Sequence, residues 1–219
     1  MSTLTSPPLS DLLIRLFADA AASDGKLREA MADAPPGEMA RRARSEDYRS
    51  FYTQAKNYYL AVSAETGRLI YMLARSINAR NIVEFGTSFG LSTLHLAAAL
   101  KDNGGGRVIG SEFEPSKVQR ARENMRLGGV SDFVDIREGD ALETLARDMP
   151  SGIDLVLLDG AKPLYVKVLA LLEPRLRSGA LLVADNADMC PDYVERVRAP
   201  GSPYLSVPFV DDVELSMKL

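Results

Sequence analysis

From residue 81 onward the chain alternates short apolar runs with longer helical ones, and this alternation limits what it can fold into. Runs of strand length stand at 81–85, 107–112, 133–137, 153–158 and 179–184. Helical runs stand at 90–101, 115–127, 140–148, 163–173 and 191–198. Repetition of this kind builds a parallel sheet with helices on both faces. Near the end, Tyr204–Pro208 and Val213–Leu219 read as an antiparallel pair that closes the sheet. The expected fold class is α/β: a doubly wound, seven-stranded, mostly parallel sheet with an antiparallel last strand.

The residues ahead of the sheet read as helical. Ser10 can cap a helix over Asp11–Ala22, whose residues Leu12, Leu13, Leu16, Phe17 and Ala20 share one face. Further helices are expected over Gly25–Ala34, from Met39 to about Tyr59, and over Ala64–Ile77. Neither a repeat nor an interdomain linker interrupts the chain. It reads as one domain over 1–219, with a helical extension at 1–62 and an α/β core at 63–219. The Asp11–Ala22 face suits a homodimer or internal packing equally.

Composition narrows the function classes. The formal net charge of −4 argues against nucleic acid or an anionic membrane as partner. A single cysteine, Cys190, excludes an internal disulfide framework, and there is no Cys/His cluster for zinc. No apolar stretch is long enough to span a membrane. The opening residues lack the basic start of a signal peptide, so the cytoplasm is the expected location.

The first strand leads into Glu84-Phe85-Gly86-Thr87-Ser88-Phe89-Gly90-Leu91-Ser92, a glycine turn followed by a helix. Gly86 lets the backbone turn sharply, and Gly90 lets the helix start close to a ligand. The helix's first N–H groups face the turn without intrahelical partners and can bind a polar ligand. A dinucleotide fingerprint would read G-x-G-x-x-G; here the spacing is E-x-G-x-x-x-G-x-S. The second strand ends at Glu112, on the same edge as Gly86, where a carboxylate can accept hydrogen bonds from a ribose diol or simply meet solvent. The third ends at Gly139-Asp140-Ala141, and Asp140 can cap the next helix, accept from an adenine amino group, or do both.

The glycine motif resembles the first motif of class I S-adenosylmethionine-dependent methyltransferases. Followed in order by Glu112, Gly139-Asp140, Asp159-Gly160-Ala161-Lys162 and Asp185-Asn186, it resembles the metal-dependent O-methyltransferases of the catechol O-methyltransferase-like family. The likeness covers roughly Leu60 to the C-terminus and includes Leu60-Ala61-Val62-Ser63, Cys190-Pro191 and Val210-Asp211-Asp212-Val213-Glu214. It implies a Rossmann-like fold and small-molecule O-methylation with S-adenosylmethionine as cofactor. It also implies cofactor contacts from Val62, Glu84, Gly86, Ser88 and Ser92, from Glu112 and Phe113, and from Gly139, Asp140, Ala141 and Asp159. The family's catechol members use a tryptophan as a pocket wall. This chain has none, and Tyr58 falls near that place, so a larger or differently oriented vicinal diol is open as substrate.

The donor set gives its own reading. Asp159, Asp185 and Asn186 offer only oxygen ligands, which suits a hard cation, Mg²⁺ first. Lys162, at a helix start beside that cation, is the expected base for the hydroxyl proton. His95 and Cys190 read as structural, and Tyr58 and Tyr59 as mouth or packing residues. The rival classes are a metal-independent methyltransferase, a nicotinamide-dependent oxidoreductase and a non-catalytic cofactor binder.

Overall fold

A computed structural model of the chain describes residues 2–30, 32–35, 37–45, 47–209 and 212–219. Seven strands form one sheet: β1 (Asn81–Phe85), β2 (Arg107–Glu112), β3 (Val134–Glu138), β4 (Ile153–Leu158), β5 (Leu176–Ala184), β6 (Tyr204–Phe209) and β7 (Val213–Lys218). Their spatial order is β3-β2-β1-β4-β5-β7-β6. Six strands run parallel; β7 runs antiparallel to both of its neighbours. This is the doubly wound, mostly parallel sheet that the alternation predicts.

Nine helices surround it among the described residues. They are α1 (Leu9–Ala30), α2 (Glu38–Ala43), α3 (Tyr48–Gln54), α4 (Ala64–Ser76), α5 (Leu91–Asp102), α6 (Pro115–Gly128), α7 (Ala141–Thr144), α8 (Tyr165–Leu172) and α9 (Pro191–Arg198). One face of the sheet packs on α1, α4, α5 and α6, through Leu12, Leu16, Ile70, Leu94 and Val118. The other packs on α7, α8 and α9, through Leu145, Val168, Leu169, Tyr193 and Val197. Covered on both faces, β4 is buried at every residue, and this is why its sequence, Ile153-Asp154-Leu155-Val156-Leu157-Leu158, lacks the polar alternation of a half-exposed strand.

The chain winds outward from β1 to β2 and β3 on one side, and from β4 to β5 on the other. Adjacent strands β1 and β4 are therefore the point where the winding reverses. Their carboxyl ends open the crevice in which such sheets bind ligands. Gly86, just past β1, holds φ +97°, and a Cβ there would stand 2.3 Å from the Asp159 carbonyl oxygen after β4. Only glycine lets these two strand ends approach so closely.

The structure revises several helix boundaries. The expected helices at Asp11–Ala22 and Gly25–Ala34 form one helix, because Gly25 stands in open space and a lone glycine costs a helix only about 1 kcal/mol. Met31, in the second expected span, lies outside the described residues. The apolar face of α1 packs inside the protein's own core, so it gives no reason for a dimer. The expected helix from Met39 to Tyr59 is divided into α2 and α3, with Glu46 between them outside the described residues. The helix expected at 140–148 stops at Thr144, where the Arg137 guanidinium takes the carbonyls of Thr144, Arg147 and Asp148. Of the Val210–Glu214 motif, Val210 and Asp211 lie outside the described residues.

Candidate active site

A cavity of about 270 Å³ lies at the carboxyl ends of β1 to β4. Its wall includes Gly86, Ser88, Glu112, Phe113, Gly139, Asp140, Ala141 and Asp159, brought together from four separate stretches of sequence. Glu112 is held by two backbone donors, Ser88 N–H at 2.8 Å and Glu114 N–H at 2.9 Å. Each of its oxygens keeps acceptor capacity toward the cavity. Asp140 caps α7 by accepting from Leu142 N–H at 2.8 Å, and its other oxygen pairs with the Arg49 guanidinium.

Val62, Glu84 and Ser92 are buried but do not line this cavity. Glu84, fully buried at the middle of the sheet, accepts from the hydroxyls of Thr87 (2.9 Å), Ser92 (2.7 Å) and Thr93 (2.5 Å). Burial raises its carboxyl above the ordinary range, while the three hydroxyls oppose that shift. It fastens the strand, the glycine turn and the first turn of α5 to one another.

Beyond β4 and β5 the charges are differently arranged, and of Asp159, Lys162, Asp185 and Asn186 it is Asp159 that lines the cavity while the other three lie behind it. Asp159 is raised well above the usual carboxylate range, first by burial and then by the neighbouring Asp185 charge. Asp185 is pushed up to about 6, chiefly by burial, and it shares a hydrogen bond with Asp159. Lys162 Nζ stands 3.6 Å from Asp159 Oδ1, donates to Tyr165 Oη at 2.8 Å, and reaches the Asp185 carbonyl at 3.4 Å. All three ammonium hydrogens thus have acceptors on hand. Asn186 sits in the left-handed region at φ +51° and donates to Asp212 Oδ2 at 2.8 Å. Two buried carboxylates share one ammonium, with only oxygen donors around them. Carboxylate and amide oxygens are the donors a hard divalent cation takes, although among the described residues no three His, Cys, Asp or Glu side chains gather as a metal site.

Tyr48, Arg49 and Tyr52 of α3 complete the wall. Periodicity alone could not reveal them, since their inward turn depends on where the break after α2 falls. Burial raises the Tyr52 phenol strongly, with the Asp159 charge next in effect. Tyr59, by contrast, packs on Phe89 at 4.5 Å between ring centroids and does not line the cavity. Lys117 of α6 is a second residue the sequence does not single out. It is 4 % exposed, lines the cavity, and donates to Ser88 Oγ at 3.1 Å. Leu205 is 61 % exposed on the edge strand β6 and takes no part in the cavity wall.

His95 and Cys190 are structural. His95 Nδ1 bonds to the Leu91 carbonyl at 2.8 Å, its ring meets Phe17, and burial pulls its pKa down to about 4. Cys190 is buried, with Sγ 3.8 Å from the Lys162 carbonyl, and burial pushes its thiol up to about 11. A thiol so rarely ionised, packed in the core away from the cavity wall, is not a nucleophile.

Residues 83–187 match a family model described as a methyltransferase domain. A catechol O-methyltransferase of Mycobacterium tuberculosis is 37 % identical over 127 residues, 58 % of this chain and 57 % of that protein. Catechol O-methyltransferase B of Danio rerio is 33 % identical over 172 residues, 74 % of this chain and 64 % of that protein. The matched stretch thus spans less than two thirds of either relative. Among solved structures, the O-methyltransferase TomG from Streptomyces achromogenes, in complex with S-adenosylmethionine, superposes with a TM-score of 0.66. It is 27 % identical, and the match covers 87 % of this chain and 94 % of that one. With the motifs in their expected order on a sheet of the expected winding, residues 83–187 carry a methyltransferase domain, and the chain is similar to S-adenosylmethionine-dependent O-methyltransferases, catechol O-methyltransferases among them.

Proposed function

We propose that this protein transfers a methyl group from S-adenosylmethionine to a hydroxyl of a small catechol-like or other vicinal-diol molecule, held beside a divalent cation of the Mg²⁺ type. The observation that carries the reading is one continuous wall. It runs from Glu112, suited to a ribose diol, to Asp159, whose neighbour Asp185 completes a crowded carboxylate pair. S-Adenosylmethionine supplies an electrophilic methyl group when bound. A hard divalent cation supplies positive charge that favours an ionised hydroxyl.

The chain's own residues do the rest. The backbone turn at Gly86 and the carboxylate of Glu112 orient the nucleoside, with Ser88, Phe113, Gly139, Asp140 and Ala141 around it. Val62, Glu84 and Ser92 support that wall from behind. Asp159, Asp185 and Asn186 are the proposed cation ligands. Lys162 is the proposed base: as the neutral amine, Nζ accepts the hydroxyl proton, and the resulting ammonium rests against Tyr165, Asp159 and the Asp185 carbonyl. Tyr48 and Tyr52 exclude water and hold the acceptor ring, so that positioning in a dry pocket carries much of the rate. Residues 1–62 form the helical extension, whose Tyr48, Arg49, Tyr52 and Leu60 line this pocket, within one domain over 1–219.

Calorimetric titration of S-adenosylmethionine, followed by a dihydroxybenzoate with and without Mg²⁺, tests the reading. Diol binding that requires both cofactor and Mg²⁺ supports it. Cofactor binding with no metal effect favours a metal-independent methyltransferase, a reading that Lys162 partly supports because it already faces Asp159. Failure to bind the cofactor would sink both. A cytoplasmic location and a homodimer belong to the same proposal; sedimentation at micromolar concentration showing only monomer would remove the dimer. Among the described residues, no helix is long and apolar enough to cross a membrane.

A further inference from the structure

Lys117 is a buried cation with unused hydrogen-bonding capacity. It lies in the first turn of α6, lines the cavity, and is 4 % exposed. Its Nζ donates to Ser88 Oγ at 3.1 Å and stands 5.3 Å from the centre of the Phe89 ring. No described carboxylate forms an ion pair with it, although Glu112 is the acidic group that acts on it most strongly. An ammonium carries three donors, and the structure engages one of them. Burying such a group is costly unless its remaining donors are met.

The two side chains are tied through one residue. Ser88 gives its N–H to Glu112 and accepts at Oγ from Lys117. Glu112 has one backbone donor on each oxygen, so its remaining capacity is purely for accepting. A hydroxyl that donates to Glu112 still has lone pairs to satisfy. On the wall that also carries Tyr48, Arg49, Tyr52 and Ser111, Lys117 is the donor tied to Glu112 through Ser88.

Resting on the cofactor reading above, we propose that Lys117 and Glu112 form a donor–acceptor clamp on the ribose diol, with Lys117 Nζ donating to a ribose oxygen whose hydrogen goes to Glu112. Lys117 is then a cofactor-affinity residue, and it sets a requirement for the intact ribose. Its contact is blind to the charge on sulfur, so it acts alike on cofactor and demethylated product.

The test is calorimetric binding to the full-length protein and its Lys117→Met and Lys117→Arg variants, each first checked by thermal melting for a folded state. The ligands are S-adenosylhomocysteine, its 2′-deoxy and 3′-deoxy analogues, and 5′-methylthioadenosine. Lys117→Met is expected to weaken S-adenosylhomocysteine and 5′-methylthioadenosine by roughly tenfold or more, as for loss of a charged hydrogen bond. Lys117→Arg should restore part of the loss. One deoxy analogue should bind wild type and Lys117→Met alike, because the contacted oxygen is gone from both. An equal loss for every ligand would overturn the clamp in favour of simple support of Ser88. A loss confined to ligands that carry the methionine carboxylate would overturn the ribose assignment. The two deoxy analogues on wild type alone give a second check: undiminished affinity for both defeats the clamp even if the variants do not fold. If wild type binds none of these nucleosides, the cofactor reading itself fails.

Discussion

The β1–β2 and β4–β5 sides of the sheet's carboxyl edge solve opposite electrostatic problems. At the β1–β2 end each acidic group has its own donors: three hydroxyls for Glu84, two backbone N–H groups for Glu112. At the β4–β5 end Asp159 and Asp185 are crowded together, and one ammonium serves both. The first end is organised before any ligand arrives. In the second, burial and neighbouring acidic groups raise both carboxyls, a strain that a cation at the proposed site would relieve. Rigid partnered groups suit recognition of an unchanging nucleoside; an unbalanced pair suits a site whose charge must change during a cycle.

The largest effect should come from the crowded end. Asp185→Asn should lower turnover by about a hundredfold or more while leaving the melting temperature unchanged or higher, since removing one carboxylate relieves repulsion. A strongly lowered melting temperature would erase the contrast between the ends.

At the partnered end the order reverses, with stability affected first. Glu84→Ala strands three buried hydroxyls and should cost about 2–4 kcal/mol in urea denaturation. A loss below about 1 kcal/mol would mean that the hydroxyls find other acceptors.

Acidity sharpens the contrast further. His95, behind the β1 end, has its pKa lowered from 6.5 to about 4, so the unfolded chain binds protons first. Its contribution to stability is lost as pH falls from 6.5 toward 4. Asp185 is raised from 3.8 to about 6, so the folded protein binds protons first, and stability is gained as pH falls through 6. Each group is worth roughly 1–2 kcal/mol between pH 7 and pH 5, with opposite signs. Relative to wild type, metal-free Asp185→Asn should therefore lose stability over that interval and His95→Gln should gain it. Parallel profiles for the two variants would contradict the assignment.

The smallest effect belongs to Arg49→Ala. The ion pair with Asp140 is exposed on the arginine side, and solvent screening leaves such pairs with little net effect. A modest rise in the KM for S-adenosylmethionine with kcat unchanged is the expected outcome, measured by initial rates.

Much of this fold can be read from the chain. β1, β2 and β4 have the boundaries expected, because strands buried on both faces are uninterrupted apolar runs. The β-end acids were legible for a related reason: residues at carboxyl ends of parallel strands share one edge wherever the helices between them pack. The missed residues have no such rule. Tyr48, Arg49 and Tyr52 reach the cavity through the packing of a short helix, and Lys117 is one of many lysines on amphipathic helices until its burial is known. Glu84 was legible as a member of the motif, but its orientation toward α5 hydroxyls is a tertiary fact.

The placement of β1 between β2 and β4 also has a consequence for synthesis. β2 follows β1 closely in the chain, but β4 begins only at Ile153, after two further helices and another strand. A nascent chain that has paired β1 with β2 holds the Glu112 half of the pocket and still lacks Asp159. The proposed nucleoside surface is therefore complete only once β4 has docked on the other side of β1. Cofactor in the surrounding solution then rewards completion of the sheet, drawing late folding forward by mass action.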